Sequence, residues 1–82
     1  MTIVEFENEQ TLGDMKVKEV ELREPTFGDI RMVQKIDDDV ERQSQLIRRL
    51  ADGSLKGITN EEFDAMPWKE YKKLSEAAEG FL

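Results

Sequence analysis

The chain contains no cysteine and no histidine among its 82 residues. Disulfide bonds and thiolate metal sites are therefore excluded, and the commonest general base and metal ligand is missing. A serine, threonine or lysine nucleophile would have no imidazole to activate it. Catalysis by carboxylates alone needs a pocket that so short a chain rarely forms. We therefore expect a protein that is not an enzyme and that carries no cofactor.

An excess of basic charge and long apolar runs are also lacking. The formal net charge is −7 at pH 7, which disfavours nucleic acid and anionic membranes as partners. Apolar residues occur only in short runs, whereas a transmembrane helix needs about 20 in succession. The first residues are acidic and lack the basic and apolar regions of a signal peptide. We expect a cytoplasmic protein that binds neither nucleic acid nor membrane.

The small apolar fraction limits how stable the chain is by itself. Hydrophobic residues make up 38% of the sequence, and charged residues make up another 38%. A chain of this size and composition forms one marginal core. We therefore expect a single domain over residues 1–82 that acts as a homo-oligomer or as a binding module.

Alternation of apolar and polar residues predicts β-structure in the first part of the chain. Residues 2–6 and 15–23 are the candidate strands, and a turn at Gly13-Asp14 would join them as a hairpin. The inward positions of the second strand change phase between Lys18 and Glu19, which predicts a β-bulge.

Residues 22–30 form a hinge at which the period of the sequence changes from strand to helix. Pro25 restricts Glu24 to extended geometry and ends the strand. Thr26 and Asp29 stand at the spacing of a capping box and predict a helix start. Arg23 is positioned to bind the carboxylates or carbonyls of the hinge. We expect structural roles for all five residues.

Apolar residues recur at helical spacing after the hinge. The first stripe consists of Phe27, Ile30, Val33, Ile36 and Val40. Three consecutive aspartates at positions 37–39 are unfavourable inside a helix, so they predict a break before a second helix over residues 40–51. Gly53 would cap that second helix. One unbroken helix over residues 27–51 is the alternative.

Two further helix starts follow. Thr59 and Glu62 form a capping box before a short helix that ends near residue 65 or 66. Pro67 is suited to begin the last helix, which ends at Gly80. The stripe expected to face the core consists of Trp68, Tyr71, Leu74 and Ala78, with Glu70 and Lys73 paired on the solvent side. The predicted fold class is α+β: an N-terminal β-hairpin (residues 1–24) and a bundle of three to four helices (residues 26–82).

The charged clusters match no known site. The adjacent aspartates at positions 37–39 and Glu41 lack the alternating ligands and glycine of a calcium loop, so we interpret them as a solvated helix junction. Arg48 and Arg49 are expected to complement the dipole at the end of the second helix. We predict no catalytic, cofactor or metal residues.

Two interpretations remain for the apolar residues of the last helix. Aromatic residues one turn apart are typical of a core, and they are also favoured in binding hot spots. Apolar residues beyond the helix end indicate a partner contact or a frayed terminus. The candidate partner-binding residues are Trp68, Tyr71, Leu74, Phe81 and Leu82.

The hinge sequence Leu22-Arg23-Glu24-Pro25-Thr26-Phe27-Gly28-Asp29-Ile30 resembles a motif of the small tail assembly chaperones of contractile-tailed (Mu/P2-type) phages. A second likeness covers residues 57–59, residues 63–66 and a helix that closes on Phe81-Leu82. The resemblance spans residue 15 to the end of the chain.

The resemblance implies a non-enzymatic role. Such a chaperone would bind the long, helical, apolar tape-measure protein and keep it soluble in the host cytoplasm until the tail tube assembles. It would be absent from the mature virion. A frameshift-extended form of the same chain, diverging near Phe81-Leu82, is an expected assembly partner. The alternative function is an acidic inhibitor or mimic that blocks a basic nucleic-acid-binding protein.

Overall fold

The structure, a computed structural model, describes residues 2–81. An N-terminal antiparallel hairpin is followed by four helices, which confirms the predicted α+β class. The elements are β1 (Thr2–Leu12), β2 (Met15–Leu22), α1 (Phe27–Gln34), α2 (Asp39–Leu50), α3 (Asn60–Asp64) and α4 (Trp68–Glu79).

The hairpin turns at Gly13-Asp14 as the sequence predicts, and Gly13 has a φ of +64°. That left-handed conformation favours glycine because a Cβ would clash with the backbone. The first strand is longer than predicted, because it continues beyond residue 6 to Leu12. Its central residues are polar, and the alternation of apolar side chains that marks a strand is lost there.

The pairing of the two strands is irregular opposite Lys18, which is where the sequence predicts a bulge. Lys18 and Glu19 are both exposed between buried Val17 and Val20, which confirms the change of phase. The pairing shifts between Glu5 and residue 10 of β1. The extra residues therefore belong to β1, whereas the prediction placed the bulge in β2. The irregularity allows both ends of β2 to direct apolar side chains inward.

The core lies between one face of the hairpin and the helices. Helix α2 is central: it packs against β2, α1 and α4, while α4 also packs against β1. The largest fully buried aliphatic side chains are those of Val20, Leu22, Ile47, Leu50 and Leu74. Burying each such side chain contributes about 1.5–3 kcal/mol.

The chain breaks between α1 and α2, so the alternative of one helix over residues 27–51 is wrong. The Asp38 side chain accepts a hydrogen bond from the Glu41 amide at 2.9 Å and caps α2. Both ends of the predicted apolar stripe lie outside the core: Phe27 is 71% exposed and Val40 is 69% exposed. The inward position near the start of α1 is occupied by Asp29, which turns Phe27 toward solvent.

The later helix boundaries agree closely with the prediction. Both hydrogen bonds of the Thr59–Glu62 capping box are present. Pro67 lies at the N-cap of α4, one position earlier than expected, and Gly80 is its C-cap. Gly53 is not a cap, because α2 ends at Leu50 with Ala51 as its C-cap, and Gly53 lies in the exposed turn beyond them.

Within residues 2–81, no helix is both long and apolar enough to cross a membrane.

The cap at Asp38 predicts a measurable stability difference between two adjacent aspartates. Asp38→Ala leaves the Glu41 amide without its acceptor, so the free energy of unfolding should fall by about 1 kcal/mol. Asp37→Ala is the control, because Asp37 is exposed and lies outside the helix. Urea denaturation measures both, and equal losses would contradict the assignment of Asp38 as the cap.

Candidate partner-binding surface

One surface of the protein, formed where three helices meet, exposes apolar and aromatic side chains. It is a shallow depression of about 360 Å³. We define this aromatic surface by its apolar lining of Val40, Phe63, Met66, Trp68 and Tyr71, and by its polar lining of Glu41, Ser44 and Asp64. Trp68 is 71% exposed, so its prediction as a core residue is wrong.

The aromatic rings of this surface support one another. Trp68 stacks on Tyr71 with ring centroids 5.8 Å apart and planes inclined by 28°. Phe63 and Tyr71 meet edge to face, with ring centroids 6.1 Å apart and planes inclined by 82°. The Tyr71 hydroxyl donates to Gln43 Oε1 at 3.3 Å. The half-buried tyrosine is therefore fixed by the rings and by α2, and it holds the exposed tryptophan in place.

The floor of the surface is held by Arg48 of α2. Its guanidinium lies 5.3 Å from the Phe63 ring centroid. The same guanidinium donates to the Ile58 carbonyl oxygen and to Asn60 Oδ1. The sequence predicted only that Arg48 complements the dipole of α2. The structure shows that it also binds the segment leading into α3. These contacts join α2 to α3 beneath the aromatic surface.

The electrostatic character of the surface is acidic. Glu41 and Asp64 are exposed side chains of its lining. Glu41 Oε1 accepts a hydrogen bond from Gln45 Nε2 at 2.8 Å. The pKa of Tyr71 is raised, first by burial and then by the negative charge of Glu41. The tyrosine therefore remains a neutral hydrogen-bond donor beside a carboxylate.

The opposite side of α4 anchors this helix to the hairpin. Glu70 is only 2% exposed, so its predicted place on the solvent side is wrong. Its carboxylate accepts from the Asn8 amide at 3.5 Å and lies 3.6 Å from Lys73 Nζ. Lys69 pairs with Glu7 of β1 at 2.9 Å, which lowers the pKa of Glu7 and raises that of Lys69. The irregular part of β1 thus covers Glu70 and fixes the rotation of α4.

The hinge is organised around the buried carboxylate of Asp29, which is 2% exposed. Arg23 binds it with both terminal nitrogens, at 2.6 and 2.9 Å. Arg49 Nε donates to Oδ1 at 3.0 Å, and the Thr26 amide donates to Oδ2 at 2.8 Å. These donors hold the pKa of Asp29 far below its ordinary value, the Arg23 guanidinium foremost.

Other hinge contacts complete the connection. The Asp29 amide donates to Thr26 Oγ1 at 3.3 Å, so the predicted capping box is present. The Arg23 amide donates to the Leu50 carbonyl at 3.0 Å. Glu24 is exposed and Pro25 is half-buried between the strand and the helix. Arg49 was expected to serve only the helix dipole, yet it binds Asp29 across the fold.

The structure separates the candidate partner-binding residues. Trp68 and Tyr71 lie together on the aromatic surface. Leu74 is completely buried and presents no surface to a partner. Phe81 is half-buried against the core. Leu82 lies outside the described residues.

Sequence reasoning identified only Trp68 and Tyr71 of the aromatic surface and missed its other lining residues, Val40, Glu41 and Asp64 among them. A signal for Val40 exists in the sequence. Its neighbours one turn ahead, Gln43 and Ser44, are polar, whereas a residue of an inward stripe has apolar companions at those positions. Asp64 carries no comparable signal, because an exposed acid near a helix end is ordinary.

The adjacent aspartates have local structural contacts. Asp38 caps α2, and Asp39 forms an ion pair with Arg42 on the same helix. Within the part of the chain that the structure describes, no group of three or more carboxylates is placed to hold a metal ion.

A second depression, of about 380 Å³, lies between α1, α2 and α4. Its apolar lining is aliphatic: Ile30, Val33, Leu46 and Ala78. The Asp39–Arg42 pair also lies along it. The aromatic surface has the composition of a binding hot spot, which this depression lacks.

The protein is thus a small α+β domain, and its exposed aromatic surface has the composition of a protein-binding site. A family model described as "Phage tail assembly chaperone proteins, E, or 41 or 14" matches residues 5–82. The chain therefore belongs to this family of phage tail assembly chaperones, as its hinge motif indicated. Neither the curated proteins nor the solved structures include a match to the chain. The family implies a protein partner in tail assembly.

Replacement of Asp29 should show how much its hydrogen bonds and ion pairs contribute to the free energy of unfolding. Asp29→Asn removes the charge that faces two guanidinium groups, and we expect a loss of about 2 kcal/mol in the free energy of unfolding. The value lies below that of a fully buried pair because Arg23 and Arg49 are 36% and 41% exposed. Asp52→Asn is the control: Asp52 is 69% exposed and 3.7 Å from Arg23, so its loss should be below about 0.5 kcal/mol.

The pKa of Asp29 also predicts an acid-dependent stability. The folded value is depressed relative to the ordinary value of 3.8, so the unfolded chain binds the proton more tightly. The contribution of Asp29 is complete above pH 3.8 and is lost as the pH falls below it. Unfolding curves should show this acid-dependent loss in the native chain and a smaller one in Asp29→Asn. Parallel pH profiles would contradict the account.

Proposed function

We propose that this chaperone binds the tape-measure protein and keeps it soluble during tail assembly, without catalysis. The observation that supports this role is the exposed Trp68, stacked on Tyr71 beside the exposed Val40. A large aromatic side chain held rigidly in water exposes apolar area whose burial by a partner would be favourable.

The shape of the surface suits an apolar helix of the partner. The depression is open and lies where α2, α3 and α4 meet. An amphipathic helix binds such a groove with apolar side chains at successive turns. The buried residues Phe63 and Met66 line the floor, so a bound side chain would meet apolar atoms rather than backbone.

Reversible binding also fits the limited area of the surface. Its exposed apolar residues are few, while the chain as a whole carries a net charge of −7 that favours solubility. A complex formed by such a chaperone would be soluble because the acidic chain adds charge to an apolar partner. We place this activity in the host cytoplasm and expect the chaperone to be absent from the mature virion.

The alternative function, an acidic inhibitor of a nucleic-acid-binding protein, has less support. Its binding would depend on surface carboxylates and would be strongly screened by salt. The stacked tryptophan would have no role in it.

Co-expression with a candidate tape-measure protein tests the proposal. The native chain should keep the tape-measure protein soluble and co-purify with it. Trp68→Ala should weaken the complex by about 30-fold, as for a binding hot spot. Because Trp68 is 71% exposed, the substitution should change the free energy of unfolding by less than about 1 kcal/mol.

Phe27→Ala is the matched control, since Phe27 is equally exposed but lies on α1. It should leave the complex intact. Failure of the native chain to solubilise or bind the tape-measure protein would refute the proposed function. Equal weakening by both substitutions would refute the assignment of the aromatic surface.

A further inference from the structure

We propose that the partner helix places a lysine or arginine against Trp68, within reach of Glu41 and Asp64. This inference rests on the proposed function and specifies the chemistry of the bound segment: an amphipathic helix with one basic residue at the border of its apolar face.

The first support is the charge of the surface lining. Its two ionisable acids are Glu41 and Asp64, and no basic residue belongs to the lining. Within residues 2–81, neither acid takes part in an ion pair. A partner that buried the apolar floor would partly desolvate both carboxylates, and a partner cation would offset that cost.

The second support comes from the arginines that lie against two other aromatic rings of this chain. Arg31 lies 4.8 Å from the ring centroid of exposed Phe27, and Arg48 lies 5.3 Å from that of Phe63. Trp68, with the ring that attracts cations most strongly, has no such cation among the described residues. The exposed Lys72 follows it by one turn of α4 but does not line the depression.

The third support is the position of Glu41 relative to the rings. Glu41 lines the same depression as Trp68 and Tyr71, and its negative charge contributes to the raised pKa of the Tyr71 hydroxyl. A cation bound on the exposed face of Trp68 would therefore interact with the indole ring and with nearby carboxylate charge together. Arginine suits this combination because its flat guanidinium stacks on rings and donates to carboxylates.

The test uses two synthetic helical peptides as probes. Both have leucines along one face; one carries a single arginine at the border of that face, and the other carries glutamine there. Each is titrated into the native chain and into the variant Glu41→Gln plus Asp64→Asn. The control variant, Glu9→Gln plus Glu19→Gln, changes the net charge equally at exposed positions away from this surface.

The native and control chains should bind the arginine peptide about tenfold more tightly than the glutamine peptide, which is about threefold for each partly exposed ion pair. The variant lacking both surface acids should lose most of this preference. Raising the ionic strength from about 0.1 M to 1 M should reduce the preference in the native chain, because the Debye length falls from about 10 Å to 3 Å.

Equal binding of the two peptides by the native chain would overturn the inference, as would failure of both peptides to bind. A preference that the control variant loses as strongly as the surface variant would overturn it too, since only net charge would matter. These failures are distinguishable from failure of the proposed function. If Trp68→Ala weakened tape-measure binding as predicted, the assignment of the aromatic surface would stand without the basic residue.

Discussion

The buried carboxylate of Asp29 is the interaction on which the rest of the fold depends. It joins three parts of the chain, because Arg23 ends the hairpin, Thr26 begins α1 and Arg49 belongs to α2. A buried charge without partners would cost several kcal/mol. With Asp52 beside Arg23, two positive and two negative charges meet there and the cluster is neutral. These hydrogen bonds therefore fix the relative positions of the hairpin, α1 and α2, and the cluster adds no net charge to the core.

The fixed position of α2 determines which surfaces the protein exposes. Helix α2 packs against both α1 and α4, and its first turns meet the start of α4 at the aromatic surface. The rotation of α4 is set by Glu70, which is covered by β1. Because Glu70 occupies the inward position, Trp68 lies on the outer side of the same turn. Hinge and hairpin thus together produce an exposed aromatic surface, to which the proposed partner contacts are assigned.

The sequence predicted features whose causes are local. The capping boxes at Thr26 and Thr59, and the break at residues 37–39, depend on side chains within a few positions of one another. Contacts between distant residues were not predictable: the binding of Asp29 by Arg49 joins residues 20 positions apart. The exposure of Trp68 was not predictable either. Helical spacing shows which residues share a face of the helix, but it does not show how the helix is rotated against the core. The irregular part of β1, which covers Glu70, decides that rotation.

We propose that this tail assembly chaperone holds an apolar helix of the tape-measure protein on the aromatic surface. Amide hydrogen exchange of the purified complex tests it most directly, since binding protects the amides it covers. The account predicts added protection in the first turns of α2 and α4, around Val40 and Trp68, with unchanged exchange in α1. Protection confined to α1 or to the hairpin, with none near Trp68, would contradict it.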